Sequence, residues 1–205
     1  LLRQSELPTD LRLAVVDSPP DDRYAGVETA HAAGSAAATA HLRELGHRVI
    51  AHIAGPESSY AAAERERGWR ETLAAAGLKP GALLRGAWDS ASGYRAGLDL
   101  LANLDATDPV TAVVVANDQM ALGVLRAASE LGILVPEQLS VVGFDDVADA
   151  ANFTPALTTV RQRFDLLGQR AVAAVLDGAE AGSRAVIEAP LVVRGSTGAP
   201  FVQPA

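Results

Sequence analysis

The stretch "TAVVVANDQMALGVLRAASELG", Thr111 to Gly132, decides how this chain folds. Its apolar run stops at the polar pair Asn117-Asp118, and a helical pattern starts at once. Ala121, Leu122, Leu125, Ala128 and Leu131 recur at spacings of three and four, which predicts one apolar stripe facing a sheet. The run before the pair is continuous rather than alternating, as in a parallel strand covered on both faces. Gly132 stands where a left-handed C-terminal cap favours glycine. The stretch reads as one strand-helix unit of an α/β protein.

Working outward, the same unit recurs. Strand-like runs lie at 11–16, 48–54 and 139–144, with a weaker one at 188–193, and helix patterns lie at 34–45, 61–76, 92–104 and 165–178. Gly46 and Gly77 close two of these helices as Gly132 closes its own. Alternating strands and helices predict a parallel sheet with right-handed crossovers.

Composition narrows the function classes. The chain has 205 residues, 49% of them hydrophobic, enough for one large core or two small ones. No apolar run approaches the roughly 18 residues of a bilayer span, and no basic-then-apolar leader opens the chain, so no membrane partner and a cytoplasmic location are expected. The absence of cysteine excludes disulfides, thiolate nucleophiles and Cys-based zinc sites. A formal net charge of -8 argues against direct binding of a polyanion, which rests on Lys and Arg neutralising phosphates. The chain opens at Leu1 and its one methionine is Met120, so it reads as a fragment of a longer protein.

In open α/β sheets, ligands sit outside the carboxyl ends of the strands. The residues there are Asp17, Gly55-Pro56, Asn117-Asp118 and Asp145-Asp146. No P-loop, G-x-G-x-x-G, G-x-S-x-G or H-E-x-x-H accompanies them, which argues against nucleotide binding and the common hydrolase chemistries. Short carboxylates and amides accept from hydroxyls, a guanidinium such as that of Arg65 donates, and an indole such as Trp88 covers the apolar face of a sugar ring. The set suits a polyhydroxylated small molecule. The same residues also have plainer readings. Asn117 or Asp118 caps the helix that follows, Asp145 and Asp146 form a turn, Arg65 and Arg67 belong to a charged helix face with Glu64 and Glu66, and Trp69 packs. The histidines, His31, His41, His47 and His52, have no metal spacing.

The stretches "HLRELGHRVIAHIAGPESSYAAAERERGWRETLAAAGL", "VVVANDQMALGVLRAASELGILVPEQLSVVGFDDVADAANFTPALTTVRQRFDLLGQRAV" and "LVVRGST" occur in the order seen in the lactose-repressor/galactose-repressor (LacI/GalR) family of bacterial transcription regulators, which this chain closely resembles from about Leu11 to Thr197. The resemblance implies a periplasmic-binding-protein-like core of two Rossmann-like subdomains that clamp an effector, with the chain crossing between them three times. Residues 1–30 and 161–191 would belong to an incomplete N-terminal subdomain, and 31–160 with 192–205 to the C-terminal one. The family's DNA-binding headpiece has no counterpart here.

Residue by residue, the resemblance implies that Asp17 binds effector hydroxyls from the N-terminal side, Arg65 supplies a forked donor and Trp88 stacks on the ring. Asn117 and Asp145 would bind further hydroxyls, and Gln162 and Phe164 would close the pocket. Asp118 would keep its capping role and Asp146 has no assigned one. No cofactor, metal or catalytic residue is implied. The expected partners are a sugar-like effector and a second copy of the chain in a homodimer, with a tetramer as the larger possibility; operator DNA would be reached only through the headpiece. Two rivals stand: a sugar-binding protein of a transport system, and an enzyme using Asp17, Asp118, Asp145 and Asp146 with Mg²⁺.

Overall fold

The computed structural model describes residues 11–102 and 109–200. The chain divides into two compact units, Leu1–Thr29 with Arg163–Ile187, and Ala30–Gln162 with Glu188–Ala205. It therefore passes from one unit to the other at Thr29-Ala30, Gln162-Arg163 and Ile187-Glu188.

In the smaller unit, β1 (Ala14–Val16), β2 (Ala25–Thr29) and β8 (Arg184–Ile187) form a parallel sheet in the order β1-β2-β8. Helix α5 (Phe164–Leu176) lies on it, with Leu167 packed among Val27 and Ile187. Neither β2, with its central Gly26 and Glu28, nor the short β8 stood out as an apolar run in the sequence.

The larger unit holds a six-stranded sheet in the order β4-β3-β5-β6-β7-β9, made of β3 (Ile50–Ala54), β4 (Leu83–Arg85), β5 (Ala112–Val115), β6 (Ser140–Asp145), β7 (Thr158–Arg161) and β9 (Leu191–Val192). All neighbours are parallel except β7 and β9, whose pairing is antiparallel. Its described helices are α1 (His31–Glu44), α2 (Tyr60–Ala75), α3 (Ser90–Leu101) and α4 (Asp118–Glu130), with a short 3-10 turn at Ala150–Asn152. The expected end of the third helix at 104 lies outside the described residues.

The continuous apolar run of β5 is explained by two cores. Ala112 and Val114 join one with Leu42, Trp69 and Leu73 of α1 and α2, whereas Val113 and Val115 join the other with residues of α3 and α4. Each strand residue is buried, but on alternate faces. A fully buried Leu, Val or Phe is worth about 1.5–3 kcal/mol, so covering both faces makes this sheet the stable centre of the unit.

The buried face of α4 differs from the expected stripe. Ala121, Leu125 and Ala128 are buried with Met120, Val124 and Ala127, but Leu122 and Leu131 are exposed. The reason is a second contact: α4 packs against α3 as well as the sheet, so its apolar arc is turned toward α3. The two backbones touch through glycines, since a Cβ on Gly93 would lie 2.2 Å from the Met120 carbonyl oxygen and one on Gly123 would lie 2.1 Å from that of Ser90. Gly46, Gly77 and Gly132 do adopt positive φ after their helices.

Candidate functional site

The chain runs outward from β3 to β4 and then returns to the other side of β3 for β5, so the crossover direction switches between β3 and β5. Carboxyl ends of strands beside such a switch leave an open crevice. Gly55 follows β3, Trp88 lies three residues past β4, Asn117 two past β5, Asp145 ends β6 and Gln162 follows β7. The larger unit thus brings Arg65, Trp88, Asn117, Asp145 and Gln162 to one edge.

Arg65 reaches this edge from α2 and is buried, so it is not part of the charged helix face, where Arg67 pairs with Glu64 and Glu71. Its Nε donates to His31 Nδ1 at 3.3 Å and its Nη1 donates to the Ala116 carbonyl at the end of β5. Nη1 also lies 3.6 Å from Asp145 Oδ1, and the guanidinium sits 3.9 Å above the centre of the Phe144 ring. A buried guanidinium must be paired on its rim, and the aromatic face below adds cation-π attraction. The Trp88 ring lies 5.5 Å from the same group.

Backbone geometry singles out the same residues. Trp88 has φ 69°, Asp145 φ 122° and Asp146 φ 56°, and in the smaller unit Asp17 has φ 45°. Non-glycine residues in this region cost about 1–3 kcal/mol each and persist where surrounding contacts hold them, typically at ligand sites. The Trp88 indole packs directly on Gly55, where a Cβ would come within 2.3 Å of the ring. Asp145 Oδ1 accepts from Gln162 Nε2 at 2.6 Å, and the Gln162 backbone N–H donates to the Asp145 carbonyl at 3.1 Å. Burial pushes the Asp145 carboxyl above the usual range, against the opposing pull of Arg65 and Gln162.

Asn117 is the N-cap of α4. Its Oδ1 accepts from the Met120 N–H at 2.9 Å, while its Nδ2 donates to the Trp88 carbonyl at 3.0 Å and to Gln119 Oε1 at 2.9 Å. One amide therefore caps the helix and fastens the Trp88 turn. The capping role expected of Asp118 is corrected: Asp118 is the first helical residue, and its buried carboxylate accepts from Thr159 Oγ1 at 2.5 Å and from the Val147 N–H at 2.9 Å. Burial raises it to about 6. Asp146 accepts from Arg161 and Arg194, so it is an ion-pair centre.

In the smaller unit, Asp17 follows β1; its Oδ1 accepts from the Thr29 N–H at 2.8 Å and its own N–H donates to the Val27 carbonyl at 3.0 Å. Phe164 opens α5 with its ring exposed. The sequence reading missed His31 and Phe144, which support Arg65. Alternation along β6 places Phe144 opposite Val141 in face, which was readable; nothing in the sequence marked His31. Trp69 is core, with its indole N–H donating to the Ile50 carbonyl.

Among the described residues no three His, Asp or Glu side chains converge as a metal site. No helix among them is long and apolar enough to cross a membrane. What the edge offers is a set of hydrogen-bonding groups around an indole.

The family model for the periplasmic binding protein-like domain matches residues 39–197. The chain is 40% identical over 190 residues to the lactose operon repressor of Klebsiella pneumoniae, covering 91% of this chain and 53% of that protein. The structure of a dimeric Lac repressor superimposes with a TM-score of 0.86 at 36% identity, over 94% of this chain and 71% of that one. A complex of the transcriptional regulator CelR with cellobiose gives a TM-score of 0.82 at 34% identity, over 89% of this chain and 58% of that one. The chain thus belongs to the LacI family, of which it carries the periplasmic-binding-protein-like core. It spans about half the length of the curated relatives it matches, and those named here are transcription regulators rather than transport proteins.

Proposed function

We propose that this chain is the effector-sensing and dimerising core of a LacI-type transcriptional repressor, which binds a sugar-like molecule and thereby controls operator binding by a DNA-binding headpiece in the longer cytoplasmic protein. The observation that carries the reading is the carboxyl edge of the larger sheet. There Trp88 and Asp145 are held at left-handed backbone angles beside a buried, fully supported Arg65. Preorganised donors and acceptors around an indole fit a sugar ring, whose hydroxyls are bonded on the rim and whose C–H face stacks. Asn117 and Gln162 complete the polar rim, and Asp17 and Phe164 are proposed contacts carried by the smaller unit. The CelR complex with cellobiose and the Lac repressor dimer support a carbohydrate ligand and a two-fold assembly for this chain as well.

Binding is the role this reading assigns to the edge: it offers acceptors and a cation around an indole, and the relatives are transcription regulators. Control of DNA follows if the effector binds one conformation better than another; equal affinity would shift nothing. The acidic core leaves phosphate contacts to the headpiece. Calorimetric titration of the full-length protein with mono- and disaccharides tests the reading. One sugar should bind, and Arg65→Ala, Asn117→Ala and Asp145→Ala should each weaken it; three unchanged affinities would refute the site. The chain of 205 residues alone should give no operator-specific shift in a gel assay at physiological salt.

A further inference from the structure

Asp146 shares with Asp145 the left-handed corner at the end of β6, with φ 56° after 122°. Two consecutive residues of this kind form a costly corner that surrounding contacts must hold. The contacts are specific. Asp146 Oδ2 accepts from Arg161 Nε at 2.6 Å, and Oδ1 accepts from Arg194 Nη2 at 2.6 Å. The carboxylate is only 6% exposed. Burial alone would raise this group, but the hydrogen bonds and charges of the two arginines outweigh it and hold it below the usual carboxylate range, so it is charged at neutral pH.

Those arginines are themselves placed. Arg161 ends β7 opposite Asp145 in the ladder, one residue before Gln162, where the chain leaves the larger unit. Arg194 follows β9, and its Nη1 donates to the Leu157 carbonyl at 2.7 Å while its backbone N–H donates to Thr158 Oγ1 at 2.9 Å. The Val147 N–H, next along the corner, donates to Asp118, which also accepts from Thr159. Asp145 and Asp146 are thus fastened to the end of β7, and Val147 to Asp118 of α4, whose carboxylate also accepts from Thr159 of β7.

We propose that Asp146 is a positioning residue for the effector site: its paired bonds to Arg161 and Arg194 hold the left-handed corner that sets Asp145 beside Arg65 and Gln162. Asp146 need not touch the ligand. The inference rests on the effector-binding reading of Asp145 and Arg65 and adds the residue that fixes their geometry. Asn tolerates a left-handed backbone as Asp does, so Asp146→Asn keeps the shape and removes the charge that draws both arginines in.

The test is made on the full-length protein, with Asp146→Asn against wild type, by amide hydrogen exchange and by calorimetry with the same sugar panel. The Gln162 N–H, bonded to the Asp145 carbonyl, and the Val147 N–H report the corner directly. In the variant these two amides should exchange about tenfold faster while the amides of α4 keep their protection, and sugar affinity should fall about tenfold. Unchanged exchange at both amides overturns the proposal. So does affinity within about twofold of wild type, or equal acceleration throughout α4, which is general destabilisation. If no sugar binds the wild type, the functional reading fails, and exchange at Gln162 and Val147 alone decides the clasp.

Discussion

Buried Arg65 and half-buried Asp145 form an ion pair that is Coulombic rather than hydrogen-bonded: Arg65 Nη1 stands 3.6 Å from Asp145 Oδ1, whose hydrogen bond comes instead from Gln162 at 2.6 Å. The guanidinium is fixed by other groups, His31 on its Nε, the Ala116 carbonyl on Nη1 and the Phe144 ring beneath. Lysine carries the charge but has no planar fork to serve all three. Arg65→Lys is therefore expected to weaken sugar binding about tenfold or more and to lower stability by about 1–3 kcal/mol, because it leaves buried acceptors unmet. Calorimetry and denaturant melts measure the two effects; wild-type affinity in Arg65→Lys would show that charge alone suffices.

Asn117 performs two separable tasks. Serine is as good an N-cap as asparagine but cannot donate from an amide to the Trp88 carbonyl. Asn117→Ser should keep stability within about 1 kcal/mol of wild type and lose binding, whereas Asn117→Ala should lose about 1 kcal/mol as well. Equal stability losses in the two variants would mean that the cap contributes little.

Gly55 gives the Trp88 indole its seat. In Gly55→Ala the new methyl group would overlap the ring, and the half-buried Trp88 side chain must swing away. Sugar affinity and the tryptophan emission spectrum should both change, with a stability loss of about 1–3 kcal/mol, the usual cost of overpacking. Trp69, fully buried in the core, should contribute an unchanged component.

Two buried groups tilt the pH dependence of stability in opposite directions. Burial raises Asp118 from 3.8 to about 6, so the folded state holds its proton more tightly; the associated stability is full below about 4 and is lost as pH rises through 6. Burial lowers His52 from 6.5 to about 4, so its contribution is full above about 6.5 and is lost as pH falls toward 4. Their slopes oppose each other between pH 4 and 6. Removing Asp118's titration in Asp118→Asn should make stability rise more steeply with pH across this window than in wild type, by about 1–3 kcal/mol in total. Chemical denaturation at a series of pH values reads this, and parallel wild-type and variant curves would contradict it.

Much of the larger unit was legible because its central strands, β3, β5 and β6, are buried on both faces and mostly apolar. The runs at 48–54, 111–116 and 139–144 became β3, β5 and β6, and helices appeared within a few residues of their patterns. β4 and β8 escaped notice because edge strands of three and four residues carry little pattern, and β2 because glycine and glutamate interrupt it. On α4, periodicity found a buried stripe but could not know that α3 would cover a second face and leave Leu122 exposed.

The strand ends show the same division. That Asn117 and Asp118 lie at a carboxyl edge follows from local sequence, since the switch from one periodicity to the other marks the corner. Which of them caps the helix does not follow, because both residue types cap equally well. The choice was made by β7, whose Thr159 hydroxyl, together with the Val147 N–H, engages the Asp118 carboxylate and leaves the cap to Asn117. Likewise the sequence by itself determined an α/β chain with acids, amides, an arginine and an indole near its strand ends. The pairing of Arg65 with Asp145, its support by His31, and the grip of Arg161 and Arg194 on Asp146 were decided by tertiary structure alone. Those partners are separated by 15 to 80 positions along the chain, and local periodicity carries no information about which distant strand ends become neighbours.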